Sequence, residues 1–268
     1  MYSLIYFDTE DFVSPPEHPV HRLPGQLAEI MTRHGLPGCF HIHGEKARFM
    51  ERHNQHEVIE AISAHDVSLH YDRGSIHPTT AEEVSQLPWF AGVERALFRE
   101  LPGFQAMERI FGKCSALTQH GGTFAAQIVY AAGKLGKPFF YSPFRLPGRN
   151  VVWYCGNLLI GGYQAGFHFD TFYRDTPKFE EQLAKVDGYL SERAREYTYT
   201  AMFGCHPVIT VMREFPCVLN WLRGAAPEPE RWRAPEMIEG VSIPLILENF
   251  ERLVAKLVAH PDVDWTDV

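Results

Sequence analysis

The sequence has few cysteines, no cluster of basic residues and no long apolar run, and each absence excludes a class of protein. The five cysteines are an odd number and never stand two residues apart, which argues against a zinc knuckle or a disulfide scaffold. The net charge is −8, so we expect neither nucleic acid nor a membrane as a partner. No stretch reaches the roughly 18 apolar residues of a membrane-spanning helix.

The first ten residues, MYSLIYFDTE, also lack the basic start and small-residue cleavage site of a secretory signal. We therefore expect a cytoplasmic protein. Hydrophobic residues make up 45% of the 268 residues, which is enough apolar material for a full core. We predict a single domain over residues 1–268, and a homo-oligomer is compatible with this composition.

Histidine is the residue type in excess, with 14 copies. Because its ring titrates near neutral pH and is a common metal ligand, this excess indicates metal binding or proton transfer. The position of each histidine in the predicted fold decides which of them take part.

Short apolar segments alternate with helix-like segments along the chain. The strand candidates are residues 2–7, 39–43, 67–69, 115–118, 138–142 and 200–205. Residues 151–160 alternate β-branched and aromatic side chains around Gly156 and Asn157, which predicts a hairpin. Strands that alternate with helices predict an α/β fold with parallel βα units, either a barrel or a doubly wound sheet.

Three carboxylates, Asp8, Glu10 and Asp11, follow the first strand candidate. In parallel α/β folds, catalytic residues collect at the carboxyl ends of the strands. Carboxylates this close repel one another unless a cation or hydrogen-bond donors compensate them, so one could bind a metal while another acts as general base. The alternative is a helix N-cap cluster, which Pro15 and Pro16 disfavour.

His70 and His206 also follow strand candidates, so we expect both to face the carboxylates. For His206 the roles are a general acid or a structural loop histidine. His77 would lie about 10 Å from His70 along a straight helix, but the loop between them could fold back. Otherwise His77 bonds a backbone carbonyl.

Three further histidines have two interpretations each. His41 and His43 alternate on one strand and share a face, which is either the barrel interior or the helix layer, where they would be core histidines. His120 precedes Gly121 in a loop whose backbone N–H groups could polarise a substrate carbonyl. A simple tight turn explains this loop equally well.

The order of these motifs resembles the polysaccharide deacetylase (NodB-homology) family. The resemblance is carried by residues 5–11, 38–48 and 64–70, and later by 119–122 and 205–207. It implies a distorted (β/α) barrel of about seven strands and a divalent metal, usually zinc, held by one carboxylate and two histidines. In that family a water activated by the metal attacks an N-acetyl amide, an aspartate acts as base, and a late histidine protonates the leaving amine.

The resemblance implies that His70 is the first histidine ligand, while Gly74 stands where the family has its second. His77, Asp72 or His41 would then have to substitute for it. We predict the metal ligands Asp11, His70 and His77, the catalytic residues Asp8, Glu10 and His206, and the substrate-binding residues His41, His120 and Gly121.

The leading hypothesis is a metal-dependent hydrolase of carbon–nitrogen (amide) bonds that deacetylates an N-acetylated sugar or cell-wall glycan. The expected cofactor is a divalent metal, with zinc as the first choice. The alternatives are a hydrolase of a small cyclic amide or ureide, and an inactive barrel that binds glycan. The expected partner is accordingly a carbohydrate or a small amide substrate.

Overall fold

The computed structural model of the protein describes residues 1–121, 123–140, 150–161 and 169–268. Gly122 of the predicted glycine-bearing loop and residues 141–142 of the predicted fifth strand lie outside the described residues.

In the described part of the chain, nine strands form one sheet. They are β1 (Tyr2–Thr9), β2 (Cys39–Ile42), β3 (Asp66–Leu69), β4 (Leu117–Thr118), β5 (Phe139–Phe140), β6 (Val151–Tyr154), β7 (Asn157–Ile160), β8 (Tyr199–Cys205) and β9 (Asp264–Trp265). The path β8-β1-β2-β3-β4-β5-β7 consists of seven strands that are all parallel to their neighbours. β6 is antiparallel to β7 at one edge, and the short β9 pairs with β1.

The sheet curls into a barrel, as the contacts across its inner face show. The rings of Tyr6 in β1 and Phe140 in β5 lie 5.1 Å apart although three strands separate them in the sheet. Together with Leu4, Ala201 and Phe203 they form a small buried cluster inside the barrel. Strand side chains of the opposite face belong to the main core against the helices. The predicted distorted barrel of about seven strands is confirmed.

Helices cover the outer face of the sheet. They are α1 (Leu23–His34), α2 (Gly44–Arg52), α3 (His56–Ser63), α4 (Thr80–Ser85), α5 (Trp89–Phe111), α6 (Ala126–Lys134), α7 (Thr176–Glu196), α8 (Pro207–Val211), α9 (Pro216–Trp221) and α10 (Ile243–Val258). Among the described helices, none combines the length and the hydropathy that crossing a membrane requires.

Helix α5 continues beyond Pro102, where proline would be expected to end it. Its buried residues Val93, Ala96, Phe104, Met107 and Phe111 recur at three- and four-residue intervals on both sides of the proline. The packing of this continuous apolar face outweighs the single backbone hydrogen bond that proline removes.

The predicted hairpin of residues 151–160 is present as β6 and β7. Val151 pairs with Ile160, and the turn lies at Cys155 and Gly156, which both have positive φ. Two consecutive left-handed residues are typical of the tight turn that joins twisted antiparallel strands.

Candidate active site

Charged and imidazole side chains from five strands meet at one end of the barrel. Each lies in a parallel strand or one or two residues after its carboxyl end, and these ends share one mouth. The stacking of His41 on the ring of Tyr6, at 4.7 Å between centroids, places His41 on the interior face. We call the set the strand-end cluster; it consists of Asp8, Glu10, His41, His43, His70, His120 and His206.

Glu10 lies at the centre of this cluster and is buried. Its Oε1 is 3.1 Å from Nε2 of His120 and 3.3 Å from Nε2 of His70. Burial alone would raise the pKa of Glu10, but the nearby charge and hydrogen bonds of these histidines hold it well below its usual range. Glu10 is therefore an anion in a buried site.

Hydroxyl groups orient both of these histidines. Nδ1 of His70 is 2.7 Å from Oγ1 of Thr118, whose hydroxyl donates to the carbonyl of Leu69. Nε2 of the same ring is 3.3 Å from Oε1 of Glu10, so each ring nitrogen of His70 has a polar partner. Burial lowers the pKa of His70, while the charge of Asp8 and the hydrogen bond to Glu10 act in the opposite direction.

His120 is protonated near neutral pH. Its Nδ1 is 2.9 Å from Oγ of Ser75, and its Nε2 donates to Glu10. Burial lowers the pKa of His120, but the charge of Glu10 outweighs this effect and raises the pKa to about 10. Without a bound cation, His120 is thus the group that compensates Glu10.

His41 and His43 also lie inside the barrel mouth. Nδ1 of His41 is 2.9 Å from Oδ1 of Asp8, while both ring nitrogens of His43 are buried without a hydrogen-bond partner. The interpretation of these two as core histidines in the helix layer is corrected, because the curled sheet turns their shared face inward.

Three sets of side chains among the described residues bring donor atoms within 4.8 Å of one another. They are Glu10 with His43, His70 and His120; Asp8 with His41 and His70; and Asp8 with Glu10 and His206. Imidazole nitrogen and carboxylate oxygen are ligands of zinc and related divalent metals. Nε2 of His41 and both ring nitrogens of His43, which are buried without a hydrogen-bond partner among the described residues, fit such an ion.

Asp8 and His206, which both belong to the third of these sets, form a close pair. Nε2 of His206 is 3.5 Å from Oδ2 of Asp8. The carboxylate of Asp170 accepts two hydrogen bonds from His206. One comes from Nδ1 at 2.9 Å and the other from the backbone N–H at 2.7 Å. Asp170 was missed in the sequence, since 36 residues separate it from His206 and no local spacing links them.

The two members of this pair have opposite charges near neutral pH. Burial lowers the pKa of His206, but the hydrogen bond to Asp170 outweighs it and raises the pKa to about 9. Burial raises the pKa of Asp8, and the charge of His70 and the hydrogen bond of His41 overcome this and lower it to about 2. A protonated imidazole and an ionised carboxylate are the states that a general acid and a general base require.

Two predicted metal ligands, Asp11 and His77, lie outside these three donor sets, and their role as ligands stays a prediction. Oδ1 of Asp11 accepts hydrogen bonds from the backbone N–H groups of Val13 and Ser14, at 3.0 and 3.1 Å. The loop does not fold back at His77, which pairs instead with Glu82 at 2.7 Å. Gly121 is exposed with a φ of +56°, and its role in substrate binding stays a prediction.

Solved structures share the fold of this chain. No protein-family model and no curated protein matches the sequence. The structure of the Puue allantoinase has a TM-score of 0.58 and 12% identity, over 99% of this chain and 87% of that one. A protein from Mycobacterium smegmatis assigned as a polysaccharide deacetylase has a TM-score of 0.56 and 13% identity, over 99% and 86%. At such identities the likeness shows the fold, and the resemblance in the motifs is confirmed at that level.

Proposed function

We propose that the protein is a metal-dependent hydrolase of carbon–nitrogen bonds in non-peptide amides, and that it removes the acetyl group of an N-acetylated sugar or cell-wall glycan. The observation that carries the proposal is the pair of Asp8 and His206. The two groups face each other at 3.5 Å within the third donor set, with charges suited to a base and an acid.

Glu10 and the histidines around it would hold the metal, and zinc suits these donors best. When bound, the ion supplies a Lewis acid that polarises a carbonyl and lowers the pKa of water. In the same site, Asp8 accepts the proton of the attacking water. His206 donates its Nε2 proton to the nitrogen that leaves as the amine, so the carbon–nitrogen bond breaks without an amide anion.

Asp170 keeps His206 ready for this transfer. With Nδ1 and the backbone N–H both bonded to one carboxylate, the ring has a single orientation, and its Nε2 proton faces Asp8. His206 and Asp8 are also more exposed than the other ionisable donors, with side-chain exposures of 21% and 14%. A substrate therefore reaches the cluster from their side.

A second candidate is the opening of a small cyclic amide or ureide. The burial of Glu10, His43, His70 and His120 favours it, because a small ring enters an enclosed site more readily than a long polymer does. The chemistry required of Asp8 and His206 is the same.

The test is hydrolysis by the zinc-loaded protein of two panels, N-acetylated chitooligosaccharides and cyclic ureides. We expect acetate release from the first panel, and a loss of about 10²- to 10⁴-fold in Asp8→Asn and His206→Ala. His53→Ala, at the exposed end of α2, is the matched control. Ureide hydrolysis alone would favour the second candidate. Glycan binding without turnover would favour an inactive barrel, and unchanged deacetylation in both variants would contradict the roles given to these residues.

A further inference from the structure

Gly74 and His43 compete for one space. Gly74 has a φ of +54°, and a Cβ atom built on it would lie 2.2 Å from Cε1 of His43 and 2.7 Å from each ring nitrogen. These separations are far below van der Waals contact. The imidazole of His43 thus fills the volume into which a side chain at position 74 would project.

The ring of His43 is buried and its polar atoms are unpaired. The residue is 3% exposed, and neither Nδ1 nor Nε2 has a hydrogen-bond partner in the described part of the chain. Both ring nitrogens of His43 are thus available as donor atoms for a metal ion.

Buried histidines elsewhere in the protein are bonded. Nε2 of His65 is 2.9 Å from both the carbonyl of Ala28 and Oγ1 of Thr32. His21 contacts the carbonyl of Ser14 at 3.0 Å and Nζ of Lys46 at 2.7 Å. A purely structural role would give His43 similar partners, because leaving buried polar atoms unpaired is costly.

The surroundings of His43 are those of a ligand. Its ring centroid lies 5.2 Å from that of His70 and 4.6 Å from that of His120. One donor atom of each of these three histidines and of Glu10 lies within 4.8 Å of the others.

We propose that His43 is a metal ligand that takes the place of a ligand at position 74, in a centre formed by Glu10, His43, His70 and His120. This inference rests on the proposed metal-dependent function. It explains how a chain with glycine at position 74 keeps a complete donor set, since the loop ligand is replaced by one from the end of β2. The hydroxyls of Thr118 and Ser75 orient His70 and His120 in the way that outer partners of metal-bound histidines do.

The test is the zinc affinity of His43→Gln, measured by competition with a chromophoric chelator. Glutamine keeps most of the volume but loses the imidazole nitrogens. We expect at least about a 100-fold weaker affinity than in the wild type, because loss of a direct ligand exceeds the effect of losing an outer partner. His65→Gln is the matched control for a buried histidine, and thermal melts of the metal-free proteins identify any variant that fails to fold. An affinity of His43→Gln within threefold of the wild type would overturn the proposal, as would a wild type that binds no zinc.

A second variant, Gly74→His, tests whether His43 supplies the ligand that a side chain at position 74 would otherwise supply. A side chain there displaces the ring of His43, so we expect the zinc affinity to fall or to stay at the wild-type level. A tenfold gain would mean that position 74 was an empty ligand position and that His43 does not fill it.

Binding and turnover separate this inference from the proposed function. If His43→Gln loses zinc but the wild type hydrolyses neither panel, the ligand role stands and the proposed hydrolase is wrong. If the wild type is an active zinc hydrolase and His43→Gln keeps both zinc and activity, the ligand role of His43 is wrong and the proposed hydrolase stands.

Discussion

Two buried charged clusters lie beside the loop between β3 and α4, and they differ in how their polar atoms are satisfied. The Glu100 network consists of Arg48, Asp72, Thr80 and Glu100. Glu100 accepts hydrogen bonds from the backbone N–H of Asp72 and the hydroxyl of Thr80, and Arg48 is 2.8 Å from Asp72. In the strand-end cluster, by contrast, Nε2 of His41 and both ring nitrogens of His43 have no hydrogen-bond partner among the described residues.

From this difference we expect a structural role for the Glu100 network and a functional role for the strand-end cluster. The groups of the Glu100 network are paired within the protein, although Oδ1 of Asp72 meets Arg48 as an ion pair without a hydrogen bond. A buried network paired in this way stabilises the fold. A cluster with unpaired donors is stable only if something else completes it, or if its cost is tolerated for function. Histidine-rich composition alone does not distinguish the two cases.

The largest effect that we expect is on catalysis. Replacement of His206 by asparagine removes the acid, so kcat/KM should fall by about 10²- to 10⁴-fold while the circular dichroism spectrum stays unchanged. Steady-state kinetics on the best substrate of the two panels measures this fall in kcat/KM. Activity within tenfold of the wild type would mean that the strand-end cluster is not the reaction site.

Disruption of the Glu100 network should lower the stability of the fold. Glu100→Ala leaves the N–H of Asp72 and the hydroxyl of Thr80 buried without their acceptor, which should lower the free energy of unfolding by about 2–4 kcal/mol. Urea denaturation measures it, with Glu108→Ala in an exposed ion pair as control. A decrease in the free energy of unfolding no larger than that of Glu108→Ala would contradict the structural role of the Glu100 network.

Metal should stabilise the protein through the strand-end cluster. A ligand that binds only the folded state at 100 times its Kd adds about 2.7 kcal/mol to the free energy of unfolding, so the melting temperature should rise with zinc. A chelator should reverse the shift, and His70→Ala should abolish it, whereas Glu100→Gln should retain it. A melting temperature independent of zinc in the wild type would contradict a metal site.

The pair of His206 and Asp170 should make both activity and stability depend on pH. The folded pKa of His206, about 9, lies above the 6.5 of a free histidine, so the pair stabilises fully below pH 6.5 and loses this contribution as the pH rises through 9. In Asp170→Asn the alkaline limb of the activity profile should move down by about 1 to 2 pH units. An unmoved limb would show that Asp170 does not control His206.

The smallest effect is expected at His77, which the sequence suggested as a ligand. Its pair with Glu82 lies at the surface, so His77→Ala should change the free energy of unfolding by less than about 0.5 kcal/mol and leave zinc affinity unchanged. Isothermal titration with zinc checks this. A lower zinc affinity in His77→Ala would indicate that His77 is a metal ligand and would contradict the proposed ligand set that includes His43.

Several members of the site were predictable because strand ends are visible in the sequence. Asp8, Glu10, His70 and His206 each lie at or just after the end of an apolar segment, and parallel strands bring such ends together. His43 was equally close to a strand end, but periodicity alone does not tell the interior face of a barrel strand from its helix-facing side. Asp170 had no signal, since its partner is distant in the chain.

The sequence by itself determined the alternation of strands and helices and the parallel βα units, because these follow from apolar periodicity. Periodicity left a barrel and a doubly wound sheet open, and the barrel was what the resemblance in the motifs implied. The position of acidic and imidazole groups at the strand ends could also be read from the sequence. Only the tertiary structure decided which of these groups share a centre. The curl of the sheet turns His41 and His43 inward, and the short turn after Glu10 takes Asp11 out of the cluster. The physical reason is that a ligand set depends on distances of a few ångströms between elements that are far apart in the chain.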